Sequence, residues 1–160
     1  MQVIIRPITP ADNPAVAALI RGVMPEFGAV GPGYAINDPE VDDMFNAYDR
    51  LRARYLVLEE QGLVVGGGGF APLKGGDDDT CEIQKMYFLA SIRGRGFGTR
   101  LLTKLLGEAQ RLGFKHCYLE TLEGMVAAQA LYVKQGFKAL CGPLGKTGHH
   151  SCNRWYVRAF

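Results

Sequence analysis

The chain has 160 residues, of which 48% are hydrophobic, and its formal net charge at pH 7 is +2. This length and composition suit one domain, expected to span residues 1–160, and exclude a disordered chain. The charge is too small to indicate nucleic-acid binding. No apolar run approaches the roughly 20 residues that span a bilayer, and the N-terminus lacks the apolar stretch of a signal peptide. We therefore expect a cytoplasmic protein with neither nucleic-acid nor membrane partners.

The first half of the chain predicts a strand, two helices and a hairpin. The opening run QVIIRPI is rich in β-branched residues, as strands are. Thr9 and Asp12 fit a capping box before the apolar helical face of Val16, Leu19, Ile20 and Val23. After a loop rich in Gly and Pro, Asp38 is placed to cap a second, short amphipathic helix. The run RYLVLEEQGLVVGGGGFAPL then predicts a hairpin that turns near Gln61.

The next strand, CEIQKMYFL, contains a break in its alternation. Cys81 and Ile83 alternate with polar neighbours, but residues 86–89 are all apolar. A β-bulge near Lys85 would restore the phase, and such bulges occur often beside active sites. We therefore predict a bulge at this point of the strand.

The second half of the chain predicts alternating helices and strands. A leucine-rich helix ends near Gly113, the strand KHCYLETL follows, and a second helix, GMVAAQALYVKQ, ends near Gly136. The runs FKAL and NRWYVRAF are the predicted closing strands. Crossovers from strand to helix to strand imply parallel pairing, and the hairpin implies antiparallel pairing. The sequence thus predicts an α/β fold with a mixed sheet and helices on both faces.

Between the fourth predicted strand and the leucine-rich helix lies the turn RGRGFGTR. Gly94, Gly96 and Gly98 would let an anion approach the free N–H groups of the helix N-terminus. A tight turn with solvated arginines explains the same pattern. This turn contains no Gly-Lys-Ser/Thr, so it is not a P-loop. Glu120 lies at a distance that a dinucleotide fold would accept, but the glycine spacing is not the dinucleotide fingerprint.

Two motifs resemble those of the GCN5-related N-acetyltransferases. The stretch EIQKMYFLASIRGRGFGTRLL is similar to their acyl-CoA-binding signature, in which [QR]-x-x-G-x-[GA] follows a strand. The stretch AAQALYVKQGF is similar to their second signature, A-x-x-L-Y-x-x-x-G-F. The resemblance covers nearly the whole chain. It implies the fold of that family, a three-layer sandwich around a mixed, mostly antiparallel sheet of six or seven strands.

The resemblance also implies acetyl-CoA as co-substrate and no metal. The pyrophosphate would lie on the backbone N–H groups of the glycine turn, and the pantetheine arm would pair with the preceding strand like an added strand. The implied cofactor-binding residues are Met86, Tyr87, Phe88, Arg93, Gly94, Arg95, Gly96, Phe97, Gly98 and Thr99.

For the chemistry, the resemblance implies an amine that attacks the thioester directly in a ternary complex. Tyr132 matches the tyrosine that protonates the CoA sulfur, although core packing also explains a tyrosine on that helix. Glu82 and Glu120 are alternative general bases, with a slight preference for Glu82, and either carboxylate could instead be a surface group. Met125 stands where the family often has an asparagine that binds the cofactor arm, so contacts from this helix are expected to differ.

The acceptor is expected to be a small-molecule amine or an amino acid, bound by an aromatic wall next to Glu26 or Asp38. The wall would comprise Phe27, Tyr34, Trp155 and Tyr156. A protein lysine or N-terminus is an alternative acceptor, and a non-catalytic acyl-CoA-binding module is an alternative function. His149, His150 and Cys152 are metal-ligand types, but adjacent histidines on an extended chain point to opposite faces, so no metal is expected. The sequence does not decide whether the protein is a monomer or a homodimer.

Overall fold

The computed structural model of the protein describes residues 2–160 and contains one seven-stranded sheet with four α-helices in that range. The strands are β1 (Val3–Pro7), β2 (Arg54–Glu60), β3 (Leu63–Pro72), β4 (Thr80–Phe88), β5 (His116–Thr121), β6 (Lys138–Leu140) and β7 (Arg154–Ala159). The helices are α1 (Asn13–Val23), α2 (Met44–Tyr48), α3 (Phe97–Arg111) and α4 (Val126–Lys134). None of the helices in residues 2–160 has the length and apolar character needed to cross a membrane.

The sheet has the order β1-β2-β3-β4-β5-β7-β6, and every neighbouring pair is antiparallel except β4 and β5. One apolar cluster joins α3 and α4 to one face of the sheet, and a second joins α1 and α2 to the other face. Two helical layers therefore enclose a mixed sheet, and the predicted α/β sandwich is confirmed.

The first helix begins as the sequence predicts. Asp12 accepts hydrogen bonds from the backbone N–H of Thr9 at 2.7 Å and from its hydroxyl at 3.0 Å, and a single 3-10 turn leads into α1. Arg6 of β1 binds the same carboxylate at 2.8 Å. The start of the first helix is thereby tied to the edge of the sheet.

The predicted capping role of Asp38 is wrong. The segment after α1 forms three 3-10 turns, and the Asp38 side chain makes no capping hydrogen bond in the turn that follows it. Its carboxylate instead binds the ammonium of Lys85 at 2.8 Å. A buried ammonium requires an anionic partner, so Asp38, although it stands at the N-cap position of the 3-10 turn Pro39–Asp43, gives its carboxylate to Lys85, and the second α-helix begins only at Met44.

The predicted bulge in β4 is confirmed. Gly67 pairs with Tyr87 and Gly69 with Gln84, so two residues of β4 lie opposite one residue of β3. Lys85 takes up the extra residue with φ of 50°, a left-handed conformation that is uncommon outside glycine. The hydroxyl of Tyr55 donates to the Lys85 carbonyl at 2.8 Å, which holds the bulge from β2.

The only parallel contact in the sheet, between β4 and β5, is short. In the described chain these strands pair only at Thr80–His116, Cys81–Cys117 and Glu82–Tyr118, and they diverge beyond Glu82. The backbone of β4 after Glu82 therefore has one edge paired with β3 and the other edge free of a neighbouring strand. The space left between the diverging strands is where the candidate site lies.

Candidate active site

The glycine turn lies at the N-terminus of α3. Gly94 and Gly96 have φ of 74° and 84°, and α3 begins directly after them at Phe97. No atom lies within 4 Å of the position a Cβ would take at either glycine, so the turn leaves open space above the helix N-terminus. The first N–H groups of a helix have no intrahelical partner and carry partial positive charge. This geometry suits an anionic ligand.

The two arginines of the turn are held by side chains from other segments. Arg93 donates from Nε to the Phe88 carbonyl at 2.9 Å and pairs with Glu26 at 2.9 Å. Arg95 pairs with Glu60 at 2.9 Å. Both guanidinium groups remain partly exposed. They are therefore accessible to an anion bound on the turn.

A cleft runs from the glycine turn along the free edge of β4 to α4. It brings together the end of β4, the turn and the helix that carries Tyr132. Of the predicted cofactor-binding residues, all except Arg95 line this cleft: Met86, Tyr87, Phe88, Arg93, Gly94, Gly96, Phe97, Gly98 and Thr99. Arg95 lies beside it and pairs with Glu60. Met125 and Leu131 complete the α4 wall.

Tyr132 lies deep in this cleft with 5% of its surface exposed. Its ring packs against Phe137 at 5.9 Å and against Tyr156 at 6.1 Å between centroids. Its hydroxyl makes no hydrogen bond with residues 2–160, whereas the neighbouring Tyr156 hydroxyl donates to Gln129 at 2.9 Å. Burial raises the pKa of Tyr132 above its usual value, so the phenol is protonated and has a free donor.

A second, partly open cavity lies on the other side of the diverging strands. We call it the acceptor-side cavity; it is bounded by β4, β5 and the loops at residues 24–35 and 149–152. It shares Phe27, Met86, Tyr87, Met125 and Tyr132 with the first cleft. The two spaces thus meet at the bulge and at Tyr132.

Glu82 lies in this cavity at the point where the strands separate. Only 3% of its surface is exposed, and its Oε1 accepts a hydrogen bond from Gln84 at 2.6 Å. Burial raises the pKa of Glu82 to about 7, helped by the charge of Glu120 and opposed by Gln84, His149 and Lys85. A carboxyl group with this pKa exchanges its proton near neutral pH.

Glu120 faces Glu82 from β5, but its oxygens are already engaged. Oε2 accepts a hydrogen bond from the Tyr118 hydroxyl at 2.8 Å, and Oε1 accepts one from the Thr147 hydroxyl. One atom each from Glu82, Glu120 and His149 lies within 4.8 Å of the other two. The two candidate bases are therefore neighbours in one cavity, as the strand pairing predicts. The carboxylate of Glu82 accepts fewer hydrogen bonds than that of Glu120.

A match to the acetyltransferase (GNAT) family covers residues 18–137. The chain belongs to this family. It is therefore an acyltransferase, and the family resemblance described above from the two sequence motifs is confirmed.

Known GNAT proteins are similar to the chain in both sequence and structure. It is 45% identical over 150 residues to YjgM of Escherichia coli strain K12, an uncharacterized N-acetyltransferase, covering 93% of this chain and 90% of that one. A GNAT acetyltransferase of Staphylococcus aureus Mu50 superposes with a TM-score of 0.82 over 99% of both chains at 18% identity. The protein yncA from Salmonella typhimurium, solved with acetyl-CoA, superposes with a TM-score of 0.75 over 98% of this chain and 92% of that one, at 21% identity.

One cluster in the acceptor-side cavity of this GNAT protein is missed by sequence reasoning. Lys85 donates from Nζ to Asp38 at 2.8 Å and to Glu40 at 2.9 Å, and only 2% of the lysine side chain is exposed. His149 places Nε2 at 3.0 Å from both oxygens of Asp38. Burial lowers the pKa of His149, but the hydrogen bond and charge of Asp38 outweigh it and raise the pKa overall. The feature of the sequence that could have indicated this cluster is a lysine within a largely apolar strand.

Two of the four residues of the predicted aromatic wall line the acceptor-side cavity. Phe27 and Tyr34 line the acceptor-side cavity, whereas Trp155 lies in an adjacent cavity. The prediction for Tyr156 is wrong because the alternation of β7 turns it to the opposite face, against Tyr132. Glu26 pairs with Arg93 and lines neither space.

The residues of the acceptor-side cavity do not form a good metal site. Of the predicted ligand types His149, His150 and Cys152, His150 lies outside this cavity, and the nearest alternative set is Glu82, Glu120 and His149. Both oxygens of Glu120 accept hydrogen bonds, and Asp38 favours the protonated imidazole, which has no lone pair for a metal. That no metal takes part stays a prediction.

Proposed function

We propose that the protein is an acetyl-CoA-dependent N-acetyltransferase that moves the acetyl group to the primary amine of a small molecule. The observation that carries this proposal is the free hydroxyl of Tyr132 at the junction of the two spaces, with Glu82 on the far side. A thioester at that junction would have a proton donor on its sulfur side and a proton acceptor on its amine side. Such a pair of groups is what direct transfer in a ternary complex requires.

The cofactor side of the proposal rests on the turn and on the free edge of β4. The open N–H groups at the start of α3 would bind the pyrophosphate, with Arg93 and Arg95 nearby. The edge of Met86–Phe88 that β5 leaves unpaired would bind the amides of the pantetheine arm as an added strand does. The structure of yncA, which has the same fold, was solved with acetyl-CoA, and this supports acetyl-CoA as the co-substrate.

The reaction would proceed by a balanced exchange of protons. Glu82 takes a proton from the ammonium group of the acceptor, and the neutral amine attacks the thioester carbonyl. The new N–C bond forms as the C–S bond breaks, and Tyr132 donates its proton to the departing sulfur. The second proton that the nitrogen loses on becoming an amide returns to Tyr132 and restores its hydroxyl. Glu120, with both oxygens engaged, is proposed to shape the cavity and to stabilise the incoming cation rather than to take the proton.

A small molecule suits the acceptor-side cavity better than a protein chain does. Ser151 donates from Oγ to the Pro32 carbonyl at 2.8 Å, and its N–H donates to the Gly33 carbonyl at 3.2 Å. These bonds tie the two loops that border the cavity to each other. An extended peptide would need an open groove in this place. Acetylation of a protein lysine or N-terminus is therefore the less supported alternative.

Calorimetry with acetyl-CoA on two matched variants tests the proposal. Thr99→Glu adds a negative charge at the N-terminus of α3, where the pyrophosphate is placed. Thr103→Glu adds the same charge to the same helix one turn further on, at an equally exposed position. Thr99 is preferred to Gly96 for this test because a side chain at Gly96 would also strain the backbone at φ of 84°.

We expect Thr99→Glu to weaken acetyl-CoA binding at least about tenfold, while Thr103→Glu stays within about twofold of the unaltered protein. Equal affinities of the two variants would place the pyrophosphate elsewhere. If the unaltered, folded protein binds no acetyl-CoA, the proposed function is wrong. A protein that binds acetyl-CoA but releases no thiol with any amine would point instead to a non-catalytic acyl-CoA-binding module.

A further inference from the structure

Negative charge is in excess around the acceptor-side cavity. The carboxylates of Glu82 and Glu120 lie in the cavity wall, and those of Asp38 and Glu40 lie behind it, bound to Lys85. Only Lys85 and His149 oppose them among the charged groups of this cluster. The cluster is therefore negative whether or not His149 and Glu82 carry a proton.

Lys85 cannot offer its charge to a ligand. Its ammonium is bound to two carboxylates, and 2% of its side chain is exposed. It is the only lysine or arginine among the described residues that line the cavity. His149 is likewise engaged through Nε2 with Asp38, and its Nδ1 faces Glu120 at 3.8 Å. The cavity thus has no free cationic group for the carboxylate of an amino acid.

The remaining lining of the cavity suits an apolar chain that ends in a cation. Ile83, Leu119 and Leu122 line it with aliphatic surface, and Phe27 and Tyr34 supply aromatic rings. Aliphatic side chains pack well against methylene groups, and aromatic faces attract ammonium groups. An anion placed here would lose its hydration next to two carboxylates without gaining a partner, which is unfavourable.

Building on the proposed function, we infer that the acceptor is an aliphatic amine that carries positive charge and no carboxylate, such as an α,ω-diamine, and that amino acids are rejected. Glu82 receives the proton of the amine that reacts. Glu120 stabilises the second ammonium, because its carboxylate lies in the wall of the same cavity. The sequence leaves small-molecule amines and amino acids as expected acceptors, and this inference keeps only the small-molecule amines.

Three related acceptors separate the effect of charge from that of size. Cadaverine, L-lysine and L-lysinamide all carry a primary amine at the end of the same methylene chain. L-lysine differs from cadaverine by one carboxylate, and L-lysinamide keeps the bulk of that group without its charge. Thiol release from acetyl-CoA at pH 8 gives kcat/KM for each compound. We expect cadaverine to exceed L-lysine by at least about tenfold, with L-lysinamide close to cadaverine.

Two matched variants test whether Glu120 contributes to this selection. Glu120→Gln removes one negative charge from the cavity, and Glu123→Gln makes the same change at an exposed residue that pairs with Arg154 outside it. The quantity compared is the ratio of kcat/KM for cadaverine to that for L-lysine, which a simple loss of activity leaves unchanged. We expect the ratio to fall severalfold in Glu120→Gln and to keep its value in Glu123→Gln.

The outcomes separate this inference from the proposed function. L-lysine turned over as well as cadaverine would overturn the inference, and so would acetyl-CoA binding with turnover confined to amines that bear carboxylates. A ratio that Glu120→Gln leaves unchanged would remove Glu120 from acceptor selection. Absence of acetyl-CoA binding by the folded protein would instead contradict the proposed function itself.

Discussion

The hydroxyl of Tyr132 has no hydrogen-bond partner in the described chain, and since no buried side-chain N or O atom there lacks a partner, this hydroxyl is open to the cleft. If it protonates the CoA sulfur, Tyr132→Phe should lower kcat by about a hundredfold, the usual contribution of a general acid, with acetyl-CoA affinity nearly unchanged. Thiol-release kinetics and calorimetry measure the two quantities separately.

Tyr156→Phe is the matched control for this substitution. It removes a hydroxyl from the ring that packs on Tyr132, but that hydroxyl is bound to Gln129. We expect it to change kcat far less than Tyr132→Phe does. Similar losses from the two substitutions would indicate that the ring cluster is packing only, and a large loss of acetyl-CoA binding in Tyr132→Phe would contradict its assignment as an acid.

Glu82 gives the proposed reaction its pH dependence. With its pKa raised to about 7, it is protonated and unable to accept a proton at acid pH, and it becomes an active base as the pH rises through 7. We therefore expect kcat/KM to fall on the acid side of about pH 7. In Glu82→Gln this limb should disappear, and the residual activity should rise only at higher pH, where the free amine is neutral.

Other titrating groups face Glu82, so the pH profile needs controls. Glu120, His149 and Lys85 line the same cavity, and their charges act on Glu82. Because the pKa of His149 is also raised, the profile of His149→Asn should be recorded beside that of Glu120→Gln. An acid limb that persists in Glu82→Gln but vanishes in one of these variants would assign the base to that residue instead.

At the scale of the elements, the bulge of β4 and the loop before α2 depend on each other. Lys85 occupies the bulge, and the loop supplies both carboxylates that neutralise it. We expect Asp38→Ala to lower the free energy of unfolding by about 3 kcal/mol, since removal of one partner leaves a buried charge poorly compensated. Urea denaturation measures this change.

Asp42→Ala is the control for the loop. Asp42 lies in the same segment and also pairs with a cation, Arg21, but both side chains of that pair are exposed. Exposed ion pairs contribute little to stability. The urea midpoint of Asp42→Ala should therefore remain close to that of the unaltered protein. Equal midpoints for the two variants would show that the buried lysine does not depend on Asp38.

At the scale of the whole molecule, the parts of the fold that are local in sequence could be predicted and the parts that join distant segments could not. Periodicity gives the strands and helices, and the phase slip in CEIQKMYFL locates the bulge at Lys85 because a bulge changes the alternation of its own strand. Glu82 and Glu120 could be placed in one cleft because they lie on strands that neighbour each other in the sheet.

The cluster around Asp38 could not be predicted from such local patterns. Lys85 is separated from Asp38 by 47 positions and His149 from Asp38 by 111, and each comes from a different segment. Local rules assign Asp38 to a helix cap, and only the burial of Lys85 in the completed fold makes the ion pair the better arrangement. The error over Tyr156 has a similar origin, since the register of β7 decides which face it meets.

The negative charge of the acceptor-side cavity also bears on how a catalytic cycle would end. Acetylation turns an ammonium into a neutral amide, so the attraction that draws in the substrate is lost at the moment the product forms. A molecule with a single amine would then leave readily, whereas a diamine would keep one cation and be held longer. The charge of the cavity would thus shorten the stay of an acetylated monoamine and lengthen that of a half-acetylated diamine.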